Sequence, residues 1–239
     1  KVTDLGGLNE LPPGKTIIRV GEAINSIYGL KKMGLFQNQA EIDGAPVQNF
    51  GAYAPGDIRY VDLSGDDLVN NEDRAVIGNS LPKLNYGLDF FASYKGFDFS
   101  MSWLGVGKRD IILEGDVAYP FFNAGKIQHW QTDAWTPSNT DANYPRLLPA
   151  TSSPNWRTSE QWMFDASYLR LRNVTVAYNF SSNLLEGLKL DALKVYLTGQ
   201  NLFTIDNLPE GIDPNVPNFS SGAFYPITSI YTLGLSVKL

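Results

Sequence analysis

Cysteine is absent from the 239 residues of this chain. Its absence excludes a disulfide framework, a thiolate metal site and a cysteine nucleophile. The one histidine, His129, leaves imidazole-based catalytic triads and metal centres very little material. The chain also lacks an apolar run of the roughly eighteen residues that a transmembrane helix needs. A membrane β-barrel is not excluded by this, because its strands show only alternating hydrophobicity.

Charge is also scarce, since Asp, Glu, Lys and Arg make up 18% of the chain, against about a quarter in typical domains. The net charge is −6 and no Lys/Arg cluster occurs, which argues against a nucleic-acid partner. Aromatic residues (13%), glycine (22) and proline (14) are plentiful, as is typical of strands and turns. The length suits one large all-β domain or two smaller ones. The chain opens on Lys1-Val2-Thr3-Asp4 without a signal peptide, so we expect a fragment of a longer protein.

Residues 56–78 contain an acidic loop in which an oxygen-bearing residue recurs at every second position and a carboxylate closes the series. A calcium ion takes roughly six to eight oxygen ligands, which a coiled loop supplies in this kind of spacing. Asp67 stands where such a turn favours glycine, although Asp tolerates left-handed backbone better than most residues. A solvated acidic turn is the alternative interpretation, and both stay open. The predicted structural calcium ligands are Asp62, Ser64, Asp66, Leu68 through its backbone, Asn70 and Asp73.

Alternating apolar and polar residues predict long antiparallel strands from residue 85 onward. The clearest pair is a hairpin that turns at Lys95-Gly96. In a later strand Leu169 and Leu171 have the opposite parity to Val174. Either a bulge near Arg172 or an apolar band that begins only at Val174 would explain this break. The predicted strands are 15–20, 24–36, 57–61, 85–94, 97–103, 167–180, 193–203 and 231–239, with a helical turn at 37–43.

The long irregular segment 108–165 holds four of the five tryptophans. A loop of this length is uncommon in a compact domain and is more often functional. Its tryptophans would either contact a sugar or a partner protein, or pack the segment onto itself. We favour the second interpretation, because long loops are commonly held by their own side chains. The candidate ligand or partner contacts are Trp130, Trp135, Trp156 and Trp162.

Other polar residues form no catalytic pattern. The carboxylates of Asp110, Glu114 and Asp116 lie in the long segment, and nothing places two of them across a cleft, as glycoside hydrolysis requires. His129, beside Trp130, is interpreted as a hydrogen-bonding residue of the loop. The polar faces of the strands are interpreted as ordinary lining of a barrel lumen that could touch solute or a plug. Their charged and amide residues are Asp89, Asp98, Lys194 and Gln200.

Two architectures fit these strands. A soluble β-sandwich would bury the apolar face as its core, whereas an outer-membrane barrel would turn that face to lipid. The strands exceed the usual length of about five or six residues, and tilted strands of this length cross a bilayer. The connections 95–96, 108–165, 181–191 and 204–225 alternate between short and long, as the turns and external loops of such barrels do. We therefore expect an all-β fold, an antiparallel transmembrane β-barrel segment with long extracellular loops.

Several short blocks follow one another along most of the chain. They are RVGE (19–22), SIYG (26–29), GLFQ (34–37), PGDIRY (55–60), DRAVIGN (73–79), YKGFD (94–98), SYLRLRNV (167–174) and GQNLF (199–203). Together and in this order they resemble the late-barrel region of SusC/RagA-type TonB-dependent outer-membrane transporters of Bacteroidetes. Each block alone is a weak signal, and their shared order makes the resemblance specific.

The resemblance implies that residues 1–239 are the C-terminal portion of a plugged barrel of about 22 strands, with about seven of those strands in this chain. The remainder of the barrel, the plug and the segment that contacts TonB would lie outside it. The family imports glycan or peptide cargo across the outer membrane beneath a SusD-like surface lipoprotein. Members carry an acidic loop of the Asp-x-Asn-Gly-Asp-Gly type, from which Ser64 and Asp67 depart here. The implied protein is not an enzyme.

The resemblance also implies an orientation. The Lys95-Gly96 turn would be periplasmic, whereas the acidic loop and segments 108–165 and 204–225 would be external, where calcium would order the site at which a lid protein docks. Two other functions stay open from the sequence. One is a secreted β-sandwich that binds glycans with calcium, and the other is a β-rich glycoside hydrolase.

Overall fold

The computed structural model describes residues 1–149, 153–188 and 190–239. Within them no helix is long and apolar enough to cross a membrane. The strands are β1 Thr16–Ile17, β2 Ser26–Leu30, β3 Lys32–Leu35, β4 Val47–Gln48, β5 Ile58–Tyr60, β6 Leu68–Val69, β7 Arg74–Asn79, β8 Leu84–Tyr94, β9 Phe97–Gly107, β10 Asp110–Ile112, β11 Met163–Asp165, β12 Tyr168–Asn179, β13 Ala192–Asp206 and β14 Ile230–Lys238. The α-helices are α1 Gln39–Asp43 and α2 Ser182–Leu185. Single turns of 3-10 helix lie at Asn71–Asp73, Gly115–Val117, Phe122–Ala124, His129–Gln131, Glu160–Trp162 and Glu186–Leu188.

Five long strands form one antiparallel sheet in the order β14-β13-β12-β9-β8. Their lengths run from nine residues in β14 to fifteen in β13. The five long strands predicted from residue 85 onward are confirmed, and the largest shift of a single strand end is in β9, which continues from Trp103 to Gly107. The expected count of about seven strands is not confirmed for this sheet, because the upstream strands pair in small sheets of their own.

The pleat divides the large sheet into an apolar and a polar face, because cross-strand partners point to the same side. On the apolar face one row of partners reads Ala92, Phe99, Val176, Leu197 and Leu233. On the polar face the adjacent row reads Phe91, Ser100, Thr175, Thr198 and Thr232. The apolar side chains are open to the surroundings, and Leu233 is 77% exposed.

The break in alternation in β12 comes from a bulge at Arg172. The register against both neighbouring strands shifts just after Leu171. Leu171 lies opposite Trp103 and Val174 lies opposite Met101, although Trp103 and Met101 are only two residues apart on β9. The extra residue therefore returns Leu171 to the apolar face, so the bulge is confirmed as the correct one of the two explanations.

The connections leave the large sheet alternately at its two ends. The Lys95-Gly96 turn and residues 180–191 lie at one end. Segments 108–167 and 207–229 leave at the opposite end, where β8 also begins. The predicted alternation of short and long connections is confirmed.

The described residues of 1–83, 108–167 and 207–229 form what we call the loop region. Its larger core surrounds Trp162 and Ile111 and takes in Ile27 from β2 and Val216 from the last long connection. A second core contains Ile58, Tyr60, Val69 and Trp135, among others. Small sheets connect these cores, in the orders β1-β2-β7, β3-β5, β4-β6 and β10-β11. The long connections thus have a packed interior of their own.

The first part of the chain corrects two predicted strands. The strand predicted at 24–36 is two strands, because β2 pairs with β1 and β7 whereas β3 pairs with β5. All five residues of β2 are buried, so the sequence has no alternation there to mark its limits. The strand predicted at 15–20 is reduced to two residues. The predicted helical turn is confirmed as α1, which Asn38 caps by accepting a hydrogen bond from the Glu41 N–H at 3.0 Å.

Candidate functional site

The exposed part of the acidic loop is a turn held by its own side chains. The Oδ1 atom of Asp62 accepts the Gly65 N–H at 2.6 Å and the Ser64 hydroxyl at 3.1 Å, and its Oδ2 accepts the Asp67 N–H at 2.9 Å. Asp66 Oδ1 accepts the same Ser64 hydroxyl at 2.9 Å. Asp67 has a φ of +62°, so the left-handed backbone expected at this position is present.

The closing carboxylate, Asp73, turns inward and is fully buried. Its Oδ1 accepts the N–H groups of Leu63 and Ser64 at 2.8 and 2.9 Å, and its Oδ2 accepts that of Asn70 at 2.7 Å. Burial acts to raise the pKa of Asp73, but these three N–H donors outweigh it and hold the pKa below its usual value. Asp73 therefore clamps the two ends of the loop together as a carboxylate.

The spacing of the oxygen-bearing residues predicts calcium, but the arrangement of these residues fits a calcium site only in part. Asp62 and Asp73 already accept backbone N–H groups, and Asp73 is drawn into the interior. Within the described residues no group of three or more carboxylates or histidines is placed to hold a metal ion. Calcium binding by this loop stays a prediction.

Just before the acidic loop, Asp57 joins it to the long segment. Arg146 donates from Nε to Oδ1 and from Nη2 to Oδ2, both at 2.9 Å, and the Asn155 amide donates to Oδ1 at 2.9 Å. Asn155 also accepts the Ile58 N–H at 2.8 Å. The Arg146 N–H donates to the Gly56 carbonyl at 2.8 Å. We call this group (Asp57, Arg146 and Asn155) the carboxylate strap, since it fixes residues 56–58 to Arg146 and Asn155 of the long segment.

Two of the four candidate tryptophans are buried. Trp162 is fully enclosed and donates from Nε1 to the Asn155 carbonyl at 2.7 Å. Trp135 is 8% exposed, donates to Gln37 Oε1 at 3.0 Å and packs against Gly56, where an added Cβ would lie 2.3 Å from its ring. These two side chains pack the loop region rather than offering a free ring.

The other two tryptophans lie on the same core and keep part of the ring exposed. Trp130 packs on Tyr144 and Phe164, with ring centroids 5.2 and 5.8 Å apart. Trp156 stacks on Tyr119 with centroids 5.8 Å apart and an interplanar angle of 10°. Of the four, these two therefore retain a surface that a ligand or partner could contact.

Two arginines hold the last long connection, Arg170 from strand β12 of the large sheet and Arg109 from the loop region. Arg170 is 4% exposed and donates to Thr204 Oγ1 at 2.7 Å and to Asp213 Oδ2 at 2.9 Å. Arg109 donates to the carbonyls of Pro214 and Val216, the latter at 2.8 Å. Burial lowers the pKa of Arg109, yet a guanidinium stays charged in water at any ordinary pH.

The remaining polar candidates do not assemble into a catalytic site. Asp110 accepts the Asn79 N–H at 2.9 Å, and Glu114 forms an ion pair with Lys15 at 2.6 Å. The His129 carbonyl accepts the Thr132 hydroxyl at 2.8 Å within its helical turn. At the other end of the sheet, Asp98 and Lys194 pair on the polar face at 3.2 Å.

No family model matches the chain. It is 30% identical over 263 residues to the TonB-dependent receptor P26 of Formosa agariphila, which covers 99% of this chain and 26% of the relative. The resemblance to SusC-type TonB-dependent receptors is confirmed. The TonB-dependent receptor SusC of Bacteroides thetaiotaomicron is 28% identical over 226 residues, 92% of this chain and 20% of the relative.

Solved structures of a peptide transporter share the fold. The RagAB peptide transporter matches with a TM-score of 0.75 at 20% identity, over 99% of this chain and 25% of that chain. The RagAB peptide importer in its open-open state matches with a TM-score of 0.74 at 22% identity over the same shares of the two chains. The chain thus spans about a quarter of the length of the receptors that it matches.

The residues that organise the loop region were mostly missed at the level of sequence. Arg146, Asn155 and Arg109 lie in segments without periodicity, whereas Arg170 lies in the predicted strand 167–180, and the partners of all four are far away in the chain. The one available signal was at Arg146, which has no charged residue within four positions of it in the sequence. Such an Arg predicts a buried ion pair only once a carboxylate is known to face it.

Proposed function

We propose that this chain forms part of the wall and the external loops of a TonB-dependent importer of nutrient oligomers in the outer membrane. The observation that carries the proposal is the continuous apolar face of the five-stranded sheet in a chain homologous to TonB-dependent receptors. A sandwich would bury such a face against a second sheet, whereas Leu88, Leu233 and Leu235 are 62, 77 and 63% exposed. Contact with the lipid hydrocarbon would keep this apolar face out of water.

Aromatic clusters support the same placement. Phe97 and Tyr178 lie with ring centroids 4.7 Å apart near the short-turn end of the sheet. Trp103 and Phe203 lie 5.3 Å apart toward the other end. Aromatic rings at both limits of an apolar band are typical of membrane barrels, because their amphipathic rings settle at the two interfaces.

The edges of the sheet support its being one part of a larger barrel. In the described chain β8 and β14 each pair with one neighbour, and both present a free edge. Free edges of nine to eleven residues invite pairing, and closure into a barrel removes them. The remainder of the wall would pair with both strands and surround a plug.

The orientation and partners follow from this assignment. The Lys95-Gly96 turn faces the periplasm, and the loop region, which includes the acidic loop, faces outward. A SusD-like surface lipoprotein is proposed to cover that region, and TonB is proposed to supply energy through another part of the receptor. The cargo is a glycan or peptide fragment, and the chain takes no enzymatic part in its passage.

The test places a charge on either face of β14 in the whole receptor. Leu233→Lys lies on the apolar face and Thr232→Lys is its matched control on the polar face, one residue away. A lysine at the lipid side of a barrel costs about 2–4 kcal/mol near the midplane. We expect Leu233→Lys to reduce the heat-resistant folded receptor in outer-membrane fractions, and Thr232→Lys to leave it at the wild-type level. Equal effects of the two variants, or a wild-type receptor recovered in the soluble fraction, would refute the proposal.

A further inference from the structure

A cleft of about 460 Å³ opens in the loop region where β2, the start of β7 and the long segment meet. Leu30 forms its base and is held there by donating its N–H to the Thr158 carbonyl at 2.9 Å. An added Cβ at Gly29 would lie 2.6 Å from that carbonyl oxygen, so the two chain segments are in direct backbone contact. The cleft is therefore built on a close junction between distant parts of the chain.

One wall of the cleft is aromatic. Trp156 and Tyr119 stack, and the Phe122 ring meets both edge-on at centroid distances of 5.3 and 5.7 Å. Trp156 and Phe122 keep part of their rings exposed, whereas Tyr119 lies behind them at 8% exposure. Burial raises the pKa of Tyr119 well above its usual value, so this ring stays neutral. The wall offers two ring surfaces to a flat or apolar group.

The charged lining is mainly cationic in a chain whose net charge is −6. Lys15, Arg74 and Arg157 contribute three positive charges against the single carboxylate of Glu114. Glu114 already pairs with Lys15 through both oxygens, at 2.6 and 2.8 Å. The guanidinium groups of Arg74 and Arg157 therefore carry positive charge that no carboxylate of the cleft lining neutralises.

Both guanidinium groups are positioned without an acidic partner. Arg74 donates to the carbonyls of Asn71 and Gly14 at 3.2 and 3.0 Å and lies over the Tyr28 ring at 5.1 Å. Arg157 donates to the Phe50 carbonyl at 3.2 Å and lies over that residue's ring at 5.1 Å. Among the ion pairs of the described residues, neither guanidinium has a carboxylate partner. Backbone and ring contacts thus orient two forked donors and leave N–H groups for an anion.

We propose that this cleft binds a carboxylate-bearing ligand, with the carboxylate on Arg74 and Arg157 and the adjoining ring or side chain on Trp156 and Phe122. The inference rests on the proposed import function and specifies that one end of the cargo carries a carboxylate. A carboxylate suits two planar guanidinium groups because it accepts parallel N–H donors, and the aromatic wall binds the group next to it. A uronic acid and a free peptide C-terminus both present this combination.

The experiment measures binding to the purified whole receptor by titration calorimetry with four probes. Trigalacturonic acid and the peptide N-acetyl-Ala-Ala-Phe carry the carboxylate, and the methyl ester of the first and the C-terminal amide of the second are the matched neutral probes. We expect at least one acid probe to bind and its neutral counterpart to bind about tenfold more weakly or worse. Binding of the first acid alone identifies an acidic glycan, and binding of the second alone identifies a peptide end.

Variants separate the role of charge from that of structure. The double variant Arg74→Gln with Arg157→Gln is expected to weaken the acid probe about tenfold or more, while Arg74→Lys with Arg157→Lys retains the charge and part of the affinity. Arg59→Gln is the control, because Arg59 also lies over a ring, that of Phe36 at 5.8 Å, but outside the cleft.

Two results would overturn the carboxylate cleft. One is that no acid probe binds better than its neutral counterpart, and the other is that the Gln double variant binds the acid probe as the wild type does. Either result leaves the proposed import function standing, because outer-membrane assembly of the receptor is measured separately. Loss of assembly in the wild type would instead contradict the function itself.

Discussion

Arg146 donates two parallel hydrogen bonds to the buried carboxylate of Asp57, from Nε to Oδ1 and from Nη2 to Oδ2, each 2.9 Å long. The two residues are 89 positions apart in the chain. Such a bidentate pair fixes both distance and orientation, so it sets how the long segment lies on the acidic loop. Several consequences of this and related contacts can be measured in the whole protein.

Breaking the carboxylate strap should loosen the loop region locally. Asp57→Asn removes the negative charge of the buried carboxylate that pairs with Arg146. Breaking a buried ion pair lowers the free energy of unfolding by about 3 kcal/mol. The expected result is faster hydrogen exchange at the amides of Gly56, Ile58 and Arg146. Asp191→Asn is the control, because it breaks a pair with Lys238 in which both side chains are mostly exposed. Equal protection in Asp57→Asn and wild type would show that the strap does not order this region.

The acidic loop should loosen at low pH. Because the pKa of Asp73 is lower in the folded loop than in an unfolded chain, its carboxylate stabilises the loop fully above its usual pKa of about 3.9. This stabilisation is lost as pH falls through the lower, folded-state pKa. Hydrogen exchange at Leu63 and Asn70, corrected for intrinsic rates, should therefore accelerate only below about pH 4.

Asp73→Asn provides the comparison for that titration. Its amide group replaces one acceptor oxygen, so the Leu63, Ser64 and Asn70 donors cannot all be satisfied. We expect fast exchange in this variant at every pH, without an acid transition. A transition that persists in Asp73→Asn would assign the pH response to another carboxylate.

Calcium binding by the acidic loop makes a separate prediction. If the ligand spacing holds a structural ion, calcium will slow hydrogen exchange across residues 62–73 and raise the affinity for the proposed SusD-like lipoprotein. A chelator will reverse both effects, and Asp62→Ala with Asp66→Ala will abolish them. Should loop order and lipoprotein affinity be the same with and without chelator, the loop is an acidic turn held by hydrogen bonds alone.

Gly29→Ala should disrupt the junction beneath the cleft. The new Cβ would meet the Thr158 carbonyl at 2.6 Å, and this backbone contact cannot yield as a flexible side chain would. Overpacking of this kind costs about 1–3 kcal/mol. The expected result is faster exchange at the Leu30 amide, which donates to that carbonyl. Gly187→Ala is the control, since an added Cβ there meets nothing within 4 Å, and a comparable effect there would remove the steric explanation.

Much of the large sheet was predictable from local pattern. Apolar and polar residues alternate along each strand with a period of two, which places Phe99 and Leu233 on the same face of the sheet. The Lys95-Gly96 turn consists of a residue pair that favours turns. The bulge at Arg172 could be posed as one of two alternatives because it interrupts that period. The choice between them needed the neighbouring strands, since only their register shows which face Leu171 joins.

The loop region could be predicted far less well. β2 is buried on both sides and carries no alternation, so its limits and partners cannot be derived from its own residues. The spacing of the acidic loop identified Asp62 and Asp73 as special positions. It could not show that Asp73 turns inward to backbone N–H groups rather than outward.

The sequence by itself determined the all-β class, the five long strands with their two faces, the family resemblance and the acidic loop. These features can be read from the alternation of apolar and polar residues and from sequence blocks a few residues long, because both depend only on residues that are close together in the chain. Only the tertiary structure decided that Asp57 pairs with Arg146, that Trp162 is buried while Trp156 borders a cleft, and that Arg74 and Arg157 line the same opening. Those arrangements join residues about eighty or more positions apart, and long-range packing, rather than local preference, selects among them.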